Sequence, residues 1–128
     1  MGCDIHGTVE KKVGDRWVMV DRLHYSHPTT RRNYERFAAL AGVRGDGPEP
    51  KGIPPDVSES TKLYIEEWGV DGHTHSFLDL VDAARLFLNT DHLGKEIGKY
   101  EKEYPISHYF DVDEANPGEY RLVFWFDN

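Results

Sequence analysis

The chain holds a single cysteine, Cys3, among 128 residues. One thiol cannot close an internal disulfide, which excludes a disulfide-stapled scaffold and fits a reducing compartment. There is no run of roughly 18 apolar residues, the minimum for a helical membrane span. The start of the chain lacks a basic stretch followed by an apolar one, so no secretory signal is expected. Bases are also scarce: 15 Lys and Arg stand against 23 Asp and Glu, a formal charge of -8. Broad binding to a phosphate backbone needs clustered cations and is excluded by that balance. What remains is ordinary for a globular protein, with 38% hydrophobic and 30% charged residues. The length suffices for one hydrophobic core, so residues 1–128 are read as a single domain.

Charge is distributed unevenly. Residues 1–30 carry four acids and four bases, and residues 31–62 carry five acids and six bases. Residues 63–128 hold 14 acids and only five bases. The acidic excess therefore belongs to the second half of the chain. The one basic concentration is Arg31, Arg32, Arg36 and Arg44. A guanidinium fork matches phosphate geometry, so Arg31, Arg32 and Arg36 are candidate phosphate-binding residues. A solvated helix face accounts for the same pattern.

Hydrophobic periodicity predicts an α+β fold. Residues 3–12 and 16–23 read as two strands joined by the Gly14-Asp15 turn. Thr29 or Thr30 can cap a helix over residues 31–41, with Tyr34, Phe37, Ala38 and Ala41 on one face and Gly42 as its stop. The Gly- and Pro-rich residues 44–56 read as loop. Residues 57–68 fit either a helix, through Asp56 and Glu59, or a strand, through Leu63 and Ile65. Ser76 is a good N-cap for a second helix over residues 77–89, with Phe77, Leu80, Val81, Ala84 and Leu88 on one face. The polar segment 91–119 carries no clear period. The apolar run at residues 120–126 reads as an interior strand buried on both faces. The expected architecture is a small, mainly antiparallel sheet with an N-terminal hairpin, a C-terminal interior strand and two main helices packed on it.

Candidate chemistry lies in the histidines and one acid. Alternation along the first strand places Asp4, His6 and Thr8 on one face and Cys3, Ile5 and Val9 on the other. Asp4 and His6 thus form a two-ligand arm, and His73 and His75 form a second. One carboxylate and three imidazoles suit zinc, manganese or iron, with Asp71 and Cys3 as additional ligand candidates. A metal with an open position would activate water. The expected helix start at Ser76 would set His73 and His75 beside free backbone N–H groups, where a metal-bound phosphate is favoured. Isolated His-x-His pairs also occur incidentally in loops. His24, His27, His92 and His108 lack patterned partners. Cys3 and His6 fall on opposite faces, which argues against a thiol–imidazole nucleophile pair. Trp17 and Trp125 are expected in the core.

Two resemblances follow from these residues. Asp4-Ile5-His6-Gly7 and Gly72-His73-Thr74-His75 resemble the first and last metal motifs of calcineurin-like metallophosphoesterases. That likeness implies metal-binding and catalytic roles for Asp4, His6, His73 and His75. The family's middle motifs find only loose echoes, in Arg44-Gly45-Asp46-Gly47 and Asn89-Thr90-Asp91-His92, and the chain is shorter than that family's double-sheet fold. The likeness is one of ligand geometry. Over its whole length, the chain resembles a family of small uncharacterised bacteriophage and prophage proteins. The resemblance rests on MGCDIH, RNYERFAALAGVR, KGIPPDVS, DGHTHSFL and RLVFWFDN. It implies a phage product acting in the bacterial host cytoplasm.

Together these features suggest a metal-dependent hydrolase of a phosphodiester or nucleotide, with a divalent transition metal, Zn or Mn, as cofactor. The partner would be a small phosphate-bearing ligand. The alternative is a non-enzymatic acidic phage accessory protein that inhibits or sequesters a host defence protein or a nucleotide signal. Neither reading requires a membrane or bulk nucleic acid, and neither fixes the oligomeric state.

Overall fold

The computed structural model describes residues 2–24, 30–91, 109–112 and 116–128. Gly14, at φ 64°, supplies the left-handed turn residue that joins β1 (Asp4–Val13) to β2 (Arg16–Arg22) as an antiparallel hairpin. A register shift between Val9 and Glu10 bends the hairpin midway. The apolar run forms β4 (Tyr120–Asp127), and every residue from Tyr120 to Phe126 is buried, as expected of an interior strand. β4 pairs with β1 on one side and β3 (His73–Asp79) on the other, so the sheet order is β2-β1-β4-β3 with all neighbours antiparallel.

Among the described residues three helices cover this sheet, and the fold is α+β. α1 (Tyr34–Ala41) starts later than the sequence suggested: Asn33, not Thr29 or Thr30, is the N-cap, accepting the Arg36 N–H at 3.0 Å. Gly42 ends the helix at φ 71°, as expected. The ambiguous segment resolves as α2 (Glu59–Trp68), because the Ser58 hydroxyl accepts the Thr61 N–H.

The largest difference lies at residues 73–79. The sequence suggested a helix capped by Ser76, but α3 runs Leu80–Thr90 and its N-cap is Asp79, whose Oδ1 accepts the Val81 N–H at 2.9 Å. Residues 73–79 are strand instead. Ser76 turns its hydroxyl to the Lys51 N–H, and the His75 carbonyl accepts from Gly52 N–H. The 51–52 segment thereby satisfies part of the outer edge of β3. Most of the polar segment 91–119, including His92 and His108, lies outside the described residues, as does His27.

The two sheet faces are covered differently. α1 and α3 lie on one face, over Ile5, Val9, Leu122, Phe124 and Phe126. α3 contributes Leu80, Ala83, Ala84 and Phe87, the i, i+3, i+4, i+7 pattern of a core-facing helix. α2 lies on the opposite face and fully buries only Thr61. Trp125, expected in the core, is fully buried on this second face. Among the described residues no helix is long and apolar enough to cross a membrane.

Candidate functional site

Beneath α2 the sheet presents polar and aromatic side chains. Thr8 Oγ1 lies 2.8 Å from Thr61 Oγ1, and Glu10 accepts the Ser58 N–H at 2.9 Å. Arg121 donates to Glu10 at 2.7 Å and to Asp56 at 2.9 Å, with its guanidinium stacked 4.1 Å above the Trp17 ring. Glu10 is fully buried, so this network satisfies a carboxylate that would otherwise be very costly in the interior. It also fixes the start of α2 onto the sheet, because Ser58 is the residue that caps that helix.

The far end of α2 builds a cleft. Trp68, its last residue, stacks on His6 with ring centroids 3.8 Å apart and an interplanar angle of 28°. Tyr64, one turn earlier, packs edge-on against Trp125 and beneath the Arg22 guanidinium. Asp4, His6, Leu23, Tyr64, Trp68 and Asp127 are among the residues around a cavity of about 310 Å³. His6 Nε2 lies 2.7 Å from Asp127 Oδ1 across the β1–β4 pair. When that nitrogen carries the proton, Asp127 accepts it and Nδ1 presents a lone pair.

The other sequence candidates are distributed as follows. Asp4 lines the same cavity, but its two carboxylate oxygens accept from Arg32 at 2.8 and 3.3 Å. That hydrogen bond, the largest influence, holds the Asp4 carboxyl below its ordinary pKa. Arg31 is exposed. Arg36 is not part of a surface phosphate clamp: only 2% exposed, it donates to Thr90 Oγ1 and the Phe87 carbonyl and stacks over the Phe87 ring. Its charge serves the C-terminal carbonyls of α3.

His73 and His75 do not join Asp4 and His6. They lie on β3, two strands from β1, which is roughly 10 Å at ordinary strand spacing. The Trp125 indole stands between them, 6.5 Å from the His6 ring and 6.0 Å from that of His75. Because α3 begins at Leu80, neither histidine adjoins a helix N-terminus. His73 Nδ1 is 2.8 Å from Thr74 Oγ1, and its Nε2 is 3.3 Å from Asn128 Oδ1. His75 is half-buried, and desolvation, followed by repulsion from His73, lowers its pKa. The Nε2 of His75 and the Nε1 of Trp125 are both buried without a hydrogen-bond partner among the described residues. Among the described residues, no three or more His, Cys, Asp or Glu side chains are grouped so as to hold a metal ion.

His73 instead lines a second, more open cleft of about 560 Å³, with Arg44, Asp46, Glu49, Thr74 and Asn128. Two of these, Arg44 at φ 62° and Thr74 at φ 56°, are non-glycine residues in the left-handed region, a rare conformation for a β-branched threonine. Cys3 is buried in the apolar core on the face away from His6, and burial raises its thiol pKa. Asp71 is exposed in a short 3-10 turn after α2.

Sequence reading found Asp4 and His6 but not Asp127 or Trp68. Asp127 is 121 residues from His6, and only the β1–β4 register brings them together. No protein-family model, curated protein or solved structure matches this chain.

Proposed function

We propose that the protein is a hydrolase of a small phosphodiester or nucleotide, with the His6–Asp127 pair as its acid–base group. The observation that carries this reading is the 2.7 Å His6 Nε2–Asp127 Oδ1 contact on the wall of an aromatic-lined cavity. Asp127 selects the tautomer that leaves Nδ1 free to accept a proton, and Trp68 restrains the ring by stacking. A water attacking phosphorus would lose its proton to Nδ1 as the new P–O bond forms. The imidazolium, stabilised by Asp127, would return that proton to the departing oxygen as the old P–O bond breaks. Arg32, held next to the cleft by its Asp4 pairing, would supply positive charge for the phosphate, and Arg31 is its exposed neighbour in the chain. The resemblance to small phage proteins supports action in the bacterial cytoplasm.

This reading does not gather Asp4, His6, His73 and His75 around one zinc or manganese ion, because β4 separates the two pairs. The test is turnover of bis(p-nitrophenyl) phosphate and of linear and cyclic dinucleotides by purified protein, before and after chelation. His6→Ala and Asp127→Asn are expected to reduce turnover by about 100-fold or more while the fold is retained. The paired His73→Ala and His75→Ala changes are expected to leave most of it. Should that pair abolish turnover, and added Zn²⁺ or Mn²⁺ restore the chelated wild type, the four-ligand metal centre replaces the dyad. Absence of turnover for every substrate overturns the enzymatic reading.

A further inference from the structure

We infer that the cleft of His6 and Asp127 selects singly charged phosphodiesters and rejects doubly charged phosphomonoesters, with Asp4 setting the selection. The inference rests on the reading of that cleft as a phosphodiester site. The sheet register pairs Asp4 of β1 directly with Asp127 of β4. Directly opposed residues of an antiparallel pair share a face, with Cβ atoms about 4.5–5.5 Å apart, and like charges placed there repel. Both carboxylates line the cavity, and among the described residues no Lys or Arg does. Asp4 is met from the rim by Arg32, at 2.8 and 3.3 Å, and Asp127 by His6 Nε2 at 2.7 Å. Arg22 is spent on the Tyr64 ring, 4.6 Å from its centroid.

This arrangement limits the charge that a ligand can carry. An imidazole that serves as general base is neutral, so the two carboxylates are balanced by the single guanidinium of Arg32 and one negative charge remains. Arg32 also presents its Nε and one terminal nitrogen to Asp4, and that is the edge that would grip a phosphate bidentately. A diester brings one charge, which the remaining N–H groups at the rim can meet. A monoester carries about 1.5 to 2 negative charges near neutral pH, and the excess faces the Asp4–Asp127 pair. Hydrolysis of a diester yields such a monoester, so the product gains charge as it forms and is driven out by the same two acids. The cavity, about 310 Å³, lies at the small end of the roughly 300–1,000 Å³ of ligand sites, and Leu23, Tyr64 and Trp68 wall it. One arm of the ester, aromatic and of nucleoside size, therefore enters it.

The experiment measures binding of adenosine 5′-monophosphate and of its O-methyl ester to the full chain by calorimetry, at about pH 8, where the monoester carries its second charge. The two ligands share base and sugar and differ by that charge. The methyl ester is expected to bind at least about tenfold more tightly. Asp4→Asn removes one carboxylate and releases Arg32 from it, and should narrow this ratio at least about fivefold. Asp82→Asn makes the same change in net charge at an exposed site on α3 and should leave the ratio as it is. Melting temperatures check that both variants fold. Equal affinity for the two ligands, tighter binding of the monoester, or binding of neither overturns the inference. So does a ratio that Asp4→Asn leaves unmoved or that Asp82→Asn narrows equally. Turnover of bis(p-nitrophenyl) phosphate is read separately. Turnover without the charge preference removes this inference and leaves the hydrolase reading standing. The preference without turnover keeps the selection in a binding site and removes catalysis.

Discussion

The two faces of one four-stranded sheet are stabilised by different physics. Under α1 and α3 lie interlocking apolar groups, with Phe37, Phe87, Phe124 and Phe126 in edge or tilted ring contacts. Such a layer tolerates imprecision in direction but not in volume. Under α2 lie directed contacts: Thr8 to Thr61, Glu10 to Ser58 and Arg121, His6 to Asp127. This layer tolerates little loss of a partner, because each orphaned group stays buried. The apolar face secures the fold, and the polar face positions the cleft.

The strongest way to sharpen this contrast is to damage each face once and then attempt a rescue. Phe87→Ala should cost about 3–5 kcal/mol, read by denaturant unfolding, because it leaves a cavity in a fully packed layer. Glu10→Ala should cost a similar amount, about 3–5 kcal/mol, because the buried Arg121 loses its buried partner and keeps only Asp56, which is 58% exposed. The two losses should then diverge. Replacing both Glu10 and Arg121 by apolar residues of matching size should recover much of the stability, since the desolvation penalty disappears with both charges. No second polar-to-apolar change can refill the Phe87 cavity. If the double replacement is as unstable as Glu10→Ala, the polar layer behaves as packing and the contrast fails.

A pH experiment probes the same contrast more gently. The folded-state pKa of His75 is depressed, so the folded protein favours neutral imidazole. As pH falls below the ordinary imidazole range, the unfolded chain takes up the proton first, and stability is lost down to the folded-state value. The melting temperature should therefore drop between about pH 7.5 and about pH 5 by more in the wild type than in His75→Phe. Equal slopes would remove His75 from the account. The smallest expected effect is at the rim. Asp4, depressed by Arg32, adds stability that is present above the unfolded carboxyl pKa and lost as pH falls through the folded one. The pair is largely solvated, so Arg32→Ala should cost no more than about 1 kcal/mol near neutral pH. A larger loss would mean that the rim belongs to the buried network.

These faces were not equally legible in the sequence. The apolar one announces itself through hydrophobic pattern: Ile5 and Val9, Phe37 and Ala41, and the run at 120–126 all fell where periodicity set them. β3 was concealed because its one fully buried position is a serine, and because the irregularity between His73 and Ser76 breaks its period of two. Phe77, Leu80, Val81 and Ala84 meanwhile matched a helical spacing that begins too early. Arg36 looked like a surface cation because sequence does not show that a helix end lies above it. The polar face was the harder part. Asp4 and His6 were visible as a motif, but Asp127 and Trp68 acquire meaning only once distant strands and a helix converge.

The position of β4 at the centre of the sheet also has a kinetic consequence. β1, formed from residues 4–13, finds its interior neighbour only in residues 120–127, so closing the sheet requires contacts between the most distant parts of the sequence. The hairpin can form early from local contacts, but Ile5 and Val9 then wait uncovered until β4 arrives. Folding should be slow for a domain of this size, with the hairpin preceding the sheet. During synthesis β1 would emerge long before its partner, leaving apolar surface on the nascent chain available to a chaperone.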